Sequence, residues 1–155
     1  MKKLFLTAVS LFSLIAANAQ DSAALSKGVL QALQSGNIED LKKLFATPDV
    51  YRAVYPEAKT FTDEQIIKQT VDSEKLKIDF EDVLSTAKKK KVDLKQLHYD
   101  SLEVENPWET YEGPWGITFH TSIGDKTASI TYAAFRHNGN WYFMEFLISG
   151  FFKEF

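Results

Sequence analysis

The sequence predicts an α+β fold: N-terminal helices packed on a curved antiparallel sheet of about four strands. Three observations carry this. Apolar residues recur at helical spacing between Ser22 and Ala87. From Leu94 onward the period changes to two. Within that second half, Asn138-Gly139 separates two alternating runs, the strongest short hairpin signal a sequence can hold.

Each element follows from its own residues. In SAALSKGVLQALQ, from Ser22, the residues Leu25, Val29, Ala32 and Leu33 form one stripe of a helix. Gly36 ends it, because the chain there must take a positive φ. Asn37 suits the N-cap of a short helix, IEDLKKLF, whose apolar face is Ile38, Leu41, Leu44 and Phe45. Thr47 to Lys59 reads as a loop, with Pro48 and Pro56 as breakers. Thr62 and Gln65 then make a capping box, with Phe61 and Ile66 placed as a hydrophobic staple. The helical pattern runs to Val71, breaks near Asp72-Ser73 and resumes through Leu76, Phe80, Val83, Leu84 and Ala87. The lysines from Lys88 to Lys91 complement the helix dipole at its C-terminus, and an anionic-surface site is the weaker reading of so short a run. Four strands follow: KQLHYDSLEVE, WGITFHTSI, KTASITYAAFR and WYFMEFLIS.

The N-terminus has a separate role. Lys2 and Lys3 precede the apolar run Leu4 to Ala17, and Ala17-Asn18-Ala19 supplies small residues where a signal peptidase cuts. Residues 1–19 are therefore expected to be a signal peptide and 20–155 the single mature domain. The apolar run is shorter than the roughly 20 residues that span a bilayer, so no membrane span is expected in the mature form. With no cysteine in the chain, a lipid anchor at a lipobox, thiolate catalysis and cysteine zinc sites are excluded. The composition is that of an exported bacterial protein, periplasmic or extracellular. The formal charge is −3 before cleavage, and loss of two lysines makes it about −5. A mildly acidic chain disfavours nucleic acid as a partner.

The two hairpins specify a register. A two-residue Asn138-Gly139 loop pairs His137 with Asn140 and, counting back, Tyr132 with Glu145. A two-residue Gly124-Asp125 loop sets Ile117 opposite Tyr132 and Phe119 opposite Ile130. One sheet face then carries Trp115, Ile117, Phe119, Tyr132, Trp141, Phe143 and Glu145, and its large apolar groups assign it to the helices. The other face carries polar Thr118 and His120 on one strand and Phe135, Tyr142, Met144, Phe146 and Ile148 on the last two. A bulge would exchange these assignments locally.

The phrases LQALQSGNIEDLKKLF and NGNWYFMEFL resemble the opening helices and the penultimate hairpin of small secreted proteins with the nuclear-transport-factor-2-like fold, also called cystatin-like α+β. The resemblance implies a cone with a pocket between helix and concave sheet. Some members of that superfamily are isomerases, dehydratases or cyclases, and many others bind ligands or proteins.

The residues on the helix-facing side would line such a pocket: Trp115, Ile117, Phe119, Tyr132, Trp141, Phe143 and Glu145. The leading expectation is a non-catalytic binding protein for a small apolar ligand or a protein partner. An enclosed Glu145 beside Tyr132, with His120 as a third candidate, would instead suit a cofactor-free isomerase, dehydratase or hydrolase. The plainer alternative is a carboxylate that reaches water and a core tyrosine with a satisfied hydroxyl. The three histidines have no metal-ligand spacing, and no serine-hydrolase, phosphate-loop or dinucleotide motif occurs, so no metal or cofactor is expected. The loop aromatics Trp108, Tyr111 and Trp115 suit either partner contacts or cover for the sheet end. The patch of Phe135, Tyr142, Met144, Phe146 and Ile148 is larger than a monomer usually exposes, which suggests a homodimer through the sheet, a protein-interaction or inhibitor module, or a C-terminal SGFFKEF tail folded across it.

Overall fold

The computed structural model describes residues 22–106, 114–147, 152 and 155. Within these residues the fold is α+β, with five helices followed by an open four-stranded antiparallel meander in the order β1-β2-β3-β4. The helices are α1 (22–35), α2 (Ile38–Lys42), α3 (Pro48–Val54), α4 (Asp63–Gln69) and α5 (Glu74–Lys89). The strands are β1 (His98–Glu105), β2 (Trp115–Ile123), β3 (Lys126–His137) and β4 (Asn140–Phe146). Residues 1–21, where the signal peptide is expected, the loop carrying Trp108 and Tyr111, and Ile148 lie outside the described residues.

The helix ends obey local chemistry. Gly36 takes φ +66°, and the Asn37 side chain accepts from the Glu39 amide to start α2. At α4 both halves of the capping box form: the Thr62 hydroxyl accepts from the Gln65 amide and the Gln65 side chain from the Thr62 amide. Ser73 caps α5, so the break near Asp72-Ser73 is a true helix boundary. Lys91 closes α5 with φ 57°, while the Val92 amide bonds back to the Ala87 carbonyl. A lysine thus occupies the left-handed position that glycine usually fills.

One expectation fails here. The segment read as a loop after Thr47 holds α3 and a 3-10 turn, Pro56–Thr60, each with proline at its first turn. Proline breaks a helix interior but fits its first turn, where the missing N–H has no intrahelical partner to lose.

The main core lies between α1, α5 and the concave side of the sheet. Leu25, Val29, Ala32 and Leu33 of α1 and Leu76, Phe80, Val83 and Ala87 of α5 pack with Ile117, Phe119, Ile130, Tyr132, Phe143 and Phe146. Phe152 is also fully buried in this core, while Lys90 donates to the Phe155 carbonyl. Phe152 therefore packs into the main core; most of the SGFFKEF segment, one of the candidate covers for the outer patch, lies outside the described residues.

The β2–β3 register is the expected one, with Ile117 opposite Tyr132 and Phe119 opposite Ile130. The β3–β4 register begins as expected, His137 opposite Asn140, and then slips. Ala134 faces Phe143, Ala133 faces Glu145 and Tyr132 faces Phe146, so one extra residue is accommodated near Met144. The bulge corrects two expectations. Glu145 does not pair with Tyr132, and Phe146 points into the main core instead of the outer patch.

The remaining patch is covered by this chain itself. Phe135 is fully buried in a second cluster with Tyr51, Ala58 and Ile66, flanked by Tyr55, Phe61, Tyr142 and Met144. The rings of Tyr51, Tyr55 and Tyr142 all lie within 5.3–5.7 Å of the Phe135 ring. The exposed surface that suggested a sheet-to-sheet homodimer is therefore absent at Phe135. Phe135→Ala is expected to cost about 3–5 kcal/mol by leaving a cavity under α3. Urea unfolding followed by far-UV circular dichroism measures it, and a loss below about 1 kcal/mol would show that α3 does not seal this face.

Candidate functional site

Among the described residues, the central side chains of the face expected to line a pocket pack against one another and against the helices. Ile117, Phe119, Tyr132 and Phe143 are each 0 % exposed. Tyr132 stacks on Phe143 at 5.4 Å and meets the edge of Phe119 at 6.1 Å. Its hydroxyl hydrogen-bonds the buried Ser26 hydroxyl of α1 at 2.9 Å. Burial drives the Tyr132 phenol well above its usual pKa, with the Ser26 contact opposing weakly. It is a neutral structural group at physiological pH.

Trp115 and Trp141 sit half-buried at one end of this face, edge to face at 5.8 Å. Among the described residues the indole N–H of Trp141 has no hydrogen-bond partner. Trp141 also edges a shallow depression of about 440 Å³ with Leu44, Phe45 and Asn140.

Glu145 emerges on the other face. Its carboxylate meets Lys75 at 2.9 Å, and the same ammonium reaches Asp79 at 2.5 Å. Asp79 is only 7 % exposed because it lies one turn from Leu76 on the buried stripe of α5. Desolvation pulls the Lys75 pKa down, but bonds to Asp79 and Glu145 outweigh it and leave the group above its usual value. Tyr51, Thr70, Leu76 and Met144 complete a groove of about 220 Å³ around this trio. Asp79 was legible only as an acid at helical spacing within an apolar stripe, a weak signal.

His120 keeps the outward direction that the β2–β3 register assigns. Its Nδ1 lies 2.9 Å from the Ser129 hydroxyl and its Nε2 3.5 Å from Glu103. Among the described residues no group of three or more histidine, aspartate or glutamate side chains could hold a metal ion. Tyr132, Glu145 and His120 are thus on three separate sites.

A fourth place was not anticipated. Between α2 and the α4–α5 junction lies a half-open groove of about 360 Å³. Ile38, Val71, Phe80 and Leu84 line it apolarly, and Lys42, Lys77, Glu74 and Glu81 border it. Lys42 is engaged by Glu39 and Asp72 at 2.9 and 2.8 Å. Lys77 meets no carboxylate among the described residues. The sequence signal was the interruption at Asp72-Ser73, which separates two helices that would otherwise run on.

No protein-family model matches the chain, and no curated protein or solved structure is significantly similar to it. Among the described residues no helix is long and apolar enough to cross a membrane.

The buried tyrosines set an alkaline limit. Burial raises the phenols of Tyr51 and Tyr132 in the folded chain, whereas unfolded tyrosine ionises near pH 10. Above about pH 10 the unfolded state has lost protons that the folded state keeps, so stability falls as pH rises. Urea midpoints between pH 8 and 11 are expected to drop, and Tyr51→Phe to flatten the drop. An unchanged slope in that variant would separate Tyr51 from the effect. At neutral pH, Ser26→Ala and Tyr132→Phe are each expected to cost about 1–3 kcal/mol by stranding a buried hydroxyl, and the double variant less than the sum. Additive losses would mean that the two hydroxyls do not support one another.

Proposed function

We propose that this is an exported, non-catalytic binding protein of nuclear-transport-factor-2-like build whose ligand is a small amphipathic molecule held in the α2–α5 groove. Helices preceding a four-stranded antiparallel meander support the build. The observation that carries the binding reading is a contrast. Among the described residues, the central side chains of the concave face pack against one another and against the helices, while the groove at Ile38, Val71, Phe80 and Leu84 is left open. Its volume of about 360 Å³ falls at the small end of ligand sites, roughly 300–1,000 Å³. An apolar body would lie along Val71 and Leu84, and an anionic head would meet Lys77.

The acid–base alternative has less support. It asked for Glu145 enclosed beside Tyr132, and the β4 bulge puts them on opposite faces. The Glu145 side chain is 46 % exposed and ion-paired to Lys75, so it reaches water instead of standing enclosed beside a tyrosine.

Decanoate is a suitable probe, with methyl NMR as the readout. Saturable one-to-one shifts at Val71 and Leu84 are expected. Val71→Arg should weaken binding at least about tenfold, the equivalent of losing one buried aliphatic contact. Lys77→Met should weaken decanoate but not decanol, and Glu145→Gln should change neither. Shifts that never saturate, or that map to Trp115 and Trp141, would overturn the reading.

A further inference from the structure

The two edges of the sheet are finished differently. At β4 the Phe143 amide donates to the Leu44 carbonyl at 3.0 Å, so that edge is partly closed by the chain. At the opposite edge, among the described residues, β1 pairs with β2 alone. An edge strand presents a row of backbone donors and acceptors to any extended segment that can align with it. A bulge between Tyr99 and Ser101 breaks the start of β1, which leaves Ser101 to Glu105 as a regular five-residue edge.

The side chains of that edge are sorted by face. Leu102 and Val104 pair with Phe119 and Ile117 and share the concave side. Leu102 is half-buried and packs against the main core, while Val104 is 37 % exposed. Ser101, Glu103 and Glu105 pair with His120, Thr118 and Gly116 on the outer side. The edge therefore offers an apolar row on one face and an acidic row on the other, with main-chain groups between them. Proteins usually blunt such edges with lysine or proline. Here the charges are acidic, which repels an acidic strand and attracts a basic one.

We propose that the β1 edge from Ser101 to Glu105 is a docking strand for an extended, basic protein segment in which apolar and lysine or arginine residues alternate. Alternation follows from the pleat, since the partner's odd and even residues would fall on the apolar and acidic rows respectively. A second copy of this chain is the poorer occupant. Pairing β1 with another β1 sets Glu103 and Glu105 against the same acids, and like charges directly opposite destabilise a sheet. The site is separate from the α2–α5 groove, so its failure leaves the ligand reading untouched.

The test uses the protein with two seven-residue probe peptides, one alternating valine with lysine and one alternating valine with glutamate. Amide NMR shifts and hydrogen exchange of residues 101–105 report docking, and titrations at two salt concentrations report affinity. The lysine peptide is expected to bind, to protect these amides and to weaken with salt, while the glutamate peptide does not bind. The double charge reversal Glu103→Lys with Glu105→Lys alters only exposed side chains. It should weaken the lysine peptide at least about fivefold and let the glutamate peptide bind, as two cross-strand charge pairs allow. Three results would each overturn the proposal: equal binding of both peptides, binding without protection at residues 101–105, or concentration-dependent self-association through β1.

Discussion

Strands β3 and β4 are apolar on both faces over part of their length, and both faces have to be removed from water. Phe143, Phe146 and Tyr132 point one way, and Phe135 and Tyr142 the other. A four-stranded sheet with one helical layer cannot satisfy this, since burying a large aromatic ring contributes roughly 1.5–3 kcal/mol and exposing it forfeits that. The chain supplies two covers. Helices α1 and α5 close the concave side, and α3 with its 3-10 turn closes the outer side at Phe135. The polar remainder of the outer face, with Thr118 hydrogen-bonded to Thr131 and His120 to Ser129, needs no cover.

The β4 bulge belongs to the same solution. One extra residue near Met144 lets both Phe143 and Phe146 face the concave core although they are an odd number of positions apart. Met144 and Glu145 are carried outward, where Met144 packs with Tyr55 and Glu145 finds Lys75. Aromatic packing thus decides where the carboxylate goes. The ring of Phe146 gains burial, while Glu145 avoids the desolvation it would meet beside Tyr132.

The two proposed binding places lie away from the packed face, between helices and at a sheet edge. The α2–α5 groove lies where α4 ends at Gln69 and Ser73 starts α5, and the β1 edge is the side of the sheet where, among the described residues, β1 pairs with β2 alone. Neither depends on a motif.

Much of this fold was legible in the residues. The α1 stripe, the Asn37 and Thr62 caps, the Asn138-Gly139 hairpin and the β2–β3 register depend on contacts within a few residues or across one short turn, and local sequence determines those. The geometry of the candidate sites was not legible to the same degree. Pro48 and Pro56 read equally as loop breakers and as helix starters, and only Phe135 waiting to be covered selects the helix. The strict alternation of WYFMEF set Glu145 beside Tyr132, and only the competition between Phe146 and Glu145 for the core inserts the bulge. A register is local until a bulge intervenes, and a bulge is chosen by what lies above and below the sheet. The sequence by itself determined the capped helices α1, α2, α4 and α5, the two hairpins and the β2–β3 register. The tertiary structure decided which face each side chain serves, because burial is a property of the assembled layers and not of any one strand.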